Sequence, residues 1–99
     1  MLDKEARDNL SEFRIERAAS NLEEAKLLFS NAKYNSSVAC AYYAIFNSLR
    51  AILAAEGVDF KKHSGVISYF QKQYIKAGIF DREISDYVRD AFTVRNDSD

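Results

Sequence analysis

Arg95 stands at the end of the row Ile84, Val88, Ala91, Arg95, so its guanidinium starts from the apolar seam of a helix rather than its wet face. His63 is the sole histidine and the one side chain whose ordinary pKa lies near neutrality. Lys61 and Lys62 precede it, and Ser64 follows at the opening of another helical pattern. Arginine can grip phosphate through paired N–H donors, lysine adds a point charge, and histidine can move a proton. Together they would make a phosphate-contacting corner. Asn47 and Arg50, polar positions inside an otherwise apolar segment, join this phosphate- or RNA-binding set, because buried polar groups need partners or an interface. The plain alternatives are a surface-loop imidazole, an arginine that snorkels outward or pairs with Asp99, and a structural amide at Asn47.

Other chemistries find little support. One His, one Cys and no carboxylate pair at helical spacing on an apolar face leave no metal cluster, and no cofactor is expected. The three glycines are isolated, so no phosphate-cradling loop exists. Cys40 lies in the most apolar stretch, where a thiolate is disfavoured, and reads as a small buried residue. A lone cysteine cannot form an internal disulfide, which fits a reducing cytoplasm. The N-terminal "MLDKEARDNL" has no signal-peptide character, and no uninterrupted apolar run approaches the ~20 residues of a membrane span. The expectation is a cytoplasmic protein without a membrane partner.

Net charge is −1, which gives no global attraction to nucleic acid, yet the charge is uneven. Phe60 to Phe80 holds four lysines (Lys61, Lys62, Lys72, Lys76) and no acid, whereas Asp81 to Asp99 holds three arginines and six acids. Two solvated helix faces would produce this pattern; a modest basic patch is the sharper reading.

The elements that must position these groups are all helical. Ninety-nine residues make one domain, 47% of them apolar and 13% aromatic, with no proline. A first helix is expected over about Asp3–Ala32, burying Leu10, Phe13, Ala18, Leu22, Ala25, Phe29 and Ala32. A second, Ser36–Glu56, is apolar nearly all round and should be the central helix, with Asn35 or Ser36 as its cap and Gly57 as its stop. A third covers about Ser64–Ala77, capped by Ser64, and a fourth opens at the N-cap Asp81. Short connections favour antiparallel neighbours, giving an all-α, up-down antiparallel four-helix bundle. Ser64–Ala77 and Arg82–Arg95 are both 14 residues long, roughly 21 Å at ~1.5 Å per residue. An antiparallel pairing of these two would therefore put His63 and Arg95 at one end of the bundle.

The segments "RAASNLEEAKLLF", "YNSSVACAYYAIFNSLRAILAAEG", "KKHSGVISYF" and "AFTVRNDSD" closely resemble, in order and spacing, the HEPN domain family. Within it the chain is most similar to the short stand-alone bacterial and archaeal proteins, over about Glu16–Asp99. The resemblance implies a bundle of four or five helices that pairs as a homodimer. It also implies a partnership with a minimal nucleotidyltransferase in modules of the toxin–antitoxin kind. Active family members are metal-independent endoribonucleases with an arginine, four to six residues, and a histidine, contributed by both subunits at their interface. By that likeness Arg95 is the motif arginine, and the histidine falls just after Asp99; the same branch often carries tyrosine there.

Residues 91–99 thus read as the front of the motif region, in a domain (1–99) that lacks its C-terminal end. The leading expectation is an interaction module that binds nucleotide or RNA phosphate and partners a nucleotidyltransferase. The alternative is an endoribonuclease using Arg95 and a histidine beyond the chain end. In the leading reading, the chain ending at Asp99 is not itself a competent ribonuclease.

Overall fold

A computed structural model describes the backbone of residues 3–98 and side chains as far as Thr93. Its elements are α1 (Lys4–Ser30), α2 (Tyr34–Ala55), α3 (His63–Phe70), a π-helical turn (Gln71–Ile75) and α4 (Arg82–Ser98), with no strand among the described residues. The fold is the all-helical bundle expected.

α1 begins where the Asp3 carboxylate accepts from the Ala6 N–H at 2.8 Å, satisfying one of the otherwise orphaned first-turn donors. It stops by a reciprocal pair of bonds: Lys33 N–H donates to Leu28 O at 2.8 Å and Ala32 N–H to Phe29 O at 3.0 Å. That stop needs a left-handed residue, and Ala32 supplies it at φ 60°. Ala32 therefore lies beyond the helix it was expected to close. The connection is so short that α2 begins at Tyr34, and Asn35 and Ser36 fall inside its first turn instead of capping it.

α2 ends by the same device built on glycine. Gly57 (φ 81°) donates to Ala54 O at 2.9 Å and Val58 to Leu53 O at 3.0 Å. At 22 residues α2 is long and apolar enough by composition to cross a bilayer, although Asn47, Ser48 and Arg50 interrupt its apolar run. Here it is the core helix of the bundle, burying Tyr42, Phe46, Leu49 and Leu53. Cross-helix bonds at Ser11–Ala51, Asn21–Asn47 and Ala25–Ser37 show α1 antiparallel to it.

The expected face of α1 was wrong in part. Phe13 (53% exposed), Leu22 (46%) and Phe29 (64%) point outward. The inward row is Arg7, Ser11, Arg14, Ala18, Asn21, Ala25 and Leu28, an alternation of four and three residues. Apolar periodicity missed it because α2 presents backbone carbonyls and an amide there, which call for donors and small side chains rather than bulk.

The third helix is also shorter than expected. α3 starts one residue early, at His63, has no side-chain cap, and gives way after Phe70 to the π-helical turn, leaving Ala77 exposed outside it. The wider turn lets Tyr74 extend the buried row of Val66 and Phe70, its ring stacked on Phe70 at 5.5 Å. Glu56, at the end of α2, lies against the hydroxyls of Tyr69 (3.4 Å) and Tyr74. Burial first, and then the Glu56 carboxylate, push the Tyr74 phenol well above its ordinary pKa. α4 lays Val88 into the core with Ala91 and Phe92 beside it, while Ile84 and Tyr87 remain largely open.

Candidate functional site

The residue that α3 opens on is held from three sides. The Tyr42 hydroxyl and His63 Nδ1 share a hydrogen bond of 2.8 Å. The Phe46 ring stacks on the imidazole with centroids 3.9 Å apart, and Tyr43 meets it edge-on at 6.1 Å. Tyr42, one turn from Phe46 on α2, is itself 2% exposed. An imidazole bonded through Nδ1 and clamped between rings has a fixed orientation, which a proton-transferring or phosphate-contacting group requires.

Phe92 of α4 packs against the same Tyr42 at 6.1 Å. The helical backbone carries on from Phe92 for most of two turns, so Arg95 belongs to the turn of α4 that arrives at the His63 end; its side chain lies outside the described residues. Lys61 and Lys62, both exposed, immediately precede His63. Lys72 and Lys76 do not join them. They sit on and after the π-helical turn, roughly 15 Å along at ~1.5 Å per residue, so the four-lysine patch read from sequence divides in two.

Asn47 and Arg50 direct their donors into the protein. Asn47 Nδ2 donates to Asn21 Oδ1 at 2.8 Å across the α1–α2 seam. Arg50 Nη2 reaches both oxygens of Asp59, at 3.0 and 3.2 Å, with its guanidinium 5.9 Å from the Phe46 ring centroid. Arg14, 8% exposed on α1, completes the cluster: Nη1 donates to Arg50 O at 3.1 Å and Nη2 to Asp59 at 3.2 Å. Burial opposes ionisation of Asp59, but the hydrogen bonds from Arg50 and Arg14 and their charge outweigh it and hold the carboxyl below its usual range. Sequence reasoning missed Arg14, Asp59 and Tyr42. Arg14 sits in the four-three row of α1, and Tyr42 precedes Phe46 by one helical turn, which were the available signals.

Gly65 has a steric reason. A Cβ there would lie 3.1 Å from the Phe60 side chain, so glycine lets Phe60 close over the start of α3. Cys40 is half-buried; burial, and then the nearby Glu24 carboxylate, raise its thiol pKa, which keeps it a poor nucleophile. Among the described residues, no three His, Cys, Asp or Glu side chains gather as metal ligands would.

The sequence of this bundle matches a known class. The HEPN domain model matches residues 11–99, and the chain belongs to that family. A Thermotoga maritima protein named "UPF0332 protein" is 34% identical over 94% of this chain and 70% of its own length. Two Methanocaldococcus jannaschii relatives carry the name "Putative toxin"; they are 36% and 34% identical, over 96% and 86% of this chain and 70% and 58% of their own lengths. No solved structure matches the chain.

Proposed function

We propose that this chain is the toxin-class member of a two-component module, and that it engages RNA or nucleotide phosphate at the corner formed by Lys61, Lys62, His63 and the Arg95 turn. The observation that carries the reading is the oriented imidazole. His63 is fixed by Tyr42 and Phe46 at the opening of α3, directly after two exposed lysines and at the bundle end that α4 reaches last. The names of the two archaeal relatives support the toxin class. The likeness to stand-alone HEPN proteins supports a minimal nucleotidyltransferase as partner, a homodimer as working form and the cytoplasm as location. Pairing of two copies also accounts for the bulky apolar residues left open on α1 and the groove of Ile15, Leu22, Ala41 and Ile45 beside them. No cofactor enters this function.

The test is salt-dependent binding of a short single-stranded RNA. Replacing Lys61 and Lys62 by alanine should flatten the salt dependence, because each phosphate contact on a single strand adds about 0.7 to the slope. Unchanged binding in that variant would remove the corner from consideration. Capture of a co-expressed minimal nucleotidyltransferase tests the partner separately.

The likeness to active HEPN proteins favours one further reading, a metal-independent endoribonuclease. There Arg95 stabilises the charge developing on the phosphorane while a histidine takes the 2′-hydroxyl proton. RNA cleavage in the presence of a chelator by the parent chain, lost in Arg95→Ala, would establish it.

A further inference from the structure

We propose that the Arg14–Asp59–Arg50 cluster is a positioning latch for the phosphate-binding corner, an inference that rests on the RNA-binding reading above. α2 ends at Ala55, but His63 must return to the level of Phe46, so residues 56–62 double back along the helix they have just left. Nine residues of helix separate those levels, roughly 13 Å at ~1.5 Å per residue. Midway along this return, Asp59 is tied to α1 through Arg14 and to α2 through Arg50, and its Oδ1 also accepts from Phe60 N–H at 3.0 Å. Phe60 then closes on Gly65 and Tyr69. The three residues that follow Phe60 are Lys61, Lys62 and His63.

Charge alone makes this placement a poor one. An aspartate two and three residues from the lysines that meet phosphate weakens their field. Packing alone does not explain Arg14 either, since an apolar side chain would fill a buried place on α1 without the cost of desolvating a guanidinium. The arrangement makes sense when the carboxylate acts by fixing the chain. Two guanidiniums neutralise it while it anchors the return loop to both long helices.

The two accounts differ in sign. Removing an acid beside a phosphate site strengthens RNA binding if charge is all that matters. The latch requires Asp59→Asn to weaken binding by about fivefold or more, because only the fraction of molecules with the loop in place stays competent. A double variant, Arg14→Met with Asp59→Asn, keeps the net charge and removes the most buried cation together with its partner, leaving Arg50 at the 29% exposed edge of the cluster; it should weaken binding to a similar extent. Anisotropy of a labelled single-stranded RNA reads affinity, and hydrogen exchange without RNA reads the loop. The Phe60 and Gly65 amides, which donate to Asp59 Oδ1 and Lys62 O, should lose protection while the cores of α1 and α2 keep theirs. Equal or tighter binding in both variants overturns the latch. If Lys61→Ala/Lys62→Ala abolishes binding while both latch variants retain it, the latch alone falls. If the lysine variant binds like the parent, the corner and its latch fall together.

Discussion

α2 is one helix with two unlike faces. Toward α1 it is stitched by hydrogen bonds: Ser11 to Ala51 O, Arg14 to Arg50 O, Asn47 to Asn21 and Ser37 to Ala25 O. Toward α3 and α4 it is filled by volume, with Tyr42, Phe46, Leu49 and Leu53 against Val66, Phe70, Tyr74 and Val88. Directional bonds between small residues fix the register of two long helices. Bulk burial supplies stability with less demand on register. The candidate site belongs to both: its histidine is clamped by the aromatic face, and the loop leading to it is tied to the hydrogen-bonded one.

The sharpest way to separate the faces is to empty one. Phe70→Ala, at a position 1% exposed, should cost about 3–5 kcal/mol in chemical denaturation. A loss under 1 kcal/mol would mean that volume does not hold α3. On the other face, Asn47→Ala leaves Asn21 without its partner and should cost about 1–2 kcal/mol, with the aromatic core intact by near-ultraviolet circular dichroism. An effect as large as that of Phe70→Ala would erase the contrast.

The link between α1 and α2 offers a smaller effect of opposite sign. Ala32 holds a left-handed conformation that glycine adopts freely, so Ala32→Gly should stabilise by about 1 kcal/mol in thermal or urea unfolding. Gly57, in the same kind of stop, has no such freedom: its φ is 81° and a Cβ would come 2.9 Å from Arg7 Cδ. Smallest is the acid limb. The Asp59 carboxyl titrates lower in the folded chain than in the unfolded one. Its contribution is thus fully present above the ordinary carboxylate range and is lost as pH falls through the lowered folded value. Comparing Asp59→Asn with the parent in acid titrations should show that component missing; superimposable limbs would contradict it.

Much of this was legible beforehand. The absence of proline, the placement of Gly57 and the all-round apolar character of α2 lead directly to the helical bundle and its central element. The argument from segment lengths assumed a third helix of 14 residues, which the π-helical turn breaks; what links His63 to α4 is Tyr42, which both His63 and Phe92 touch. The face of α1 was not legible, because hydropathy counts apolar residues and this seam is built from donors meeting carbonyls. Nor was the break in α3, since a π-helical turn preserves a run of good helix formers and changes only how they are wound. Arg50 and Asn47 stood out correctly as polar groups needing partners, but their partners, Asp59 and Asn21, lie 9 and 26 residues away in sequence.

The carboxylate of Glu56 beside the Tyr74 phenol makes the chain its own optical reporter. There are six tyrosines and no tryptophan, so ultraviolet absorbance belongs almost entirely to phenols. Tyr74 is held neutral well above the ordinary tyrosine range, by burial and then by Glu56. Its contribution to stability is complete below the ordinary tyrosine range near ~10 and declines as pH climbs toward the raised folded value. Within that window the Tyr74 phenol is held neutral until the core opens, so the part of the tyrosinate band that disappears in Tyr74→Phe would follow unfolding without any label.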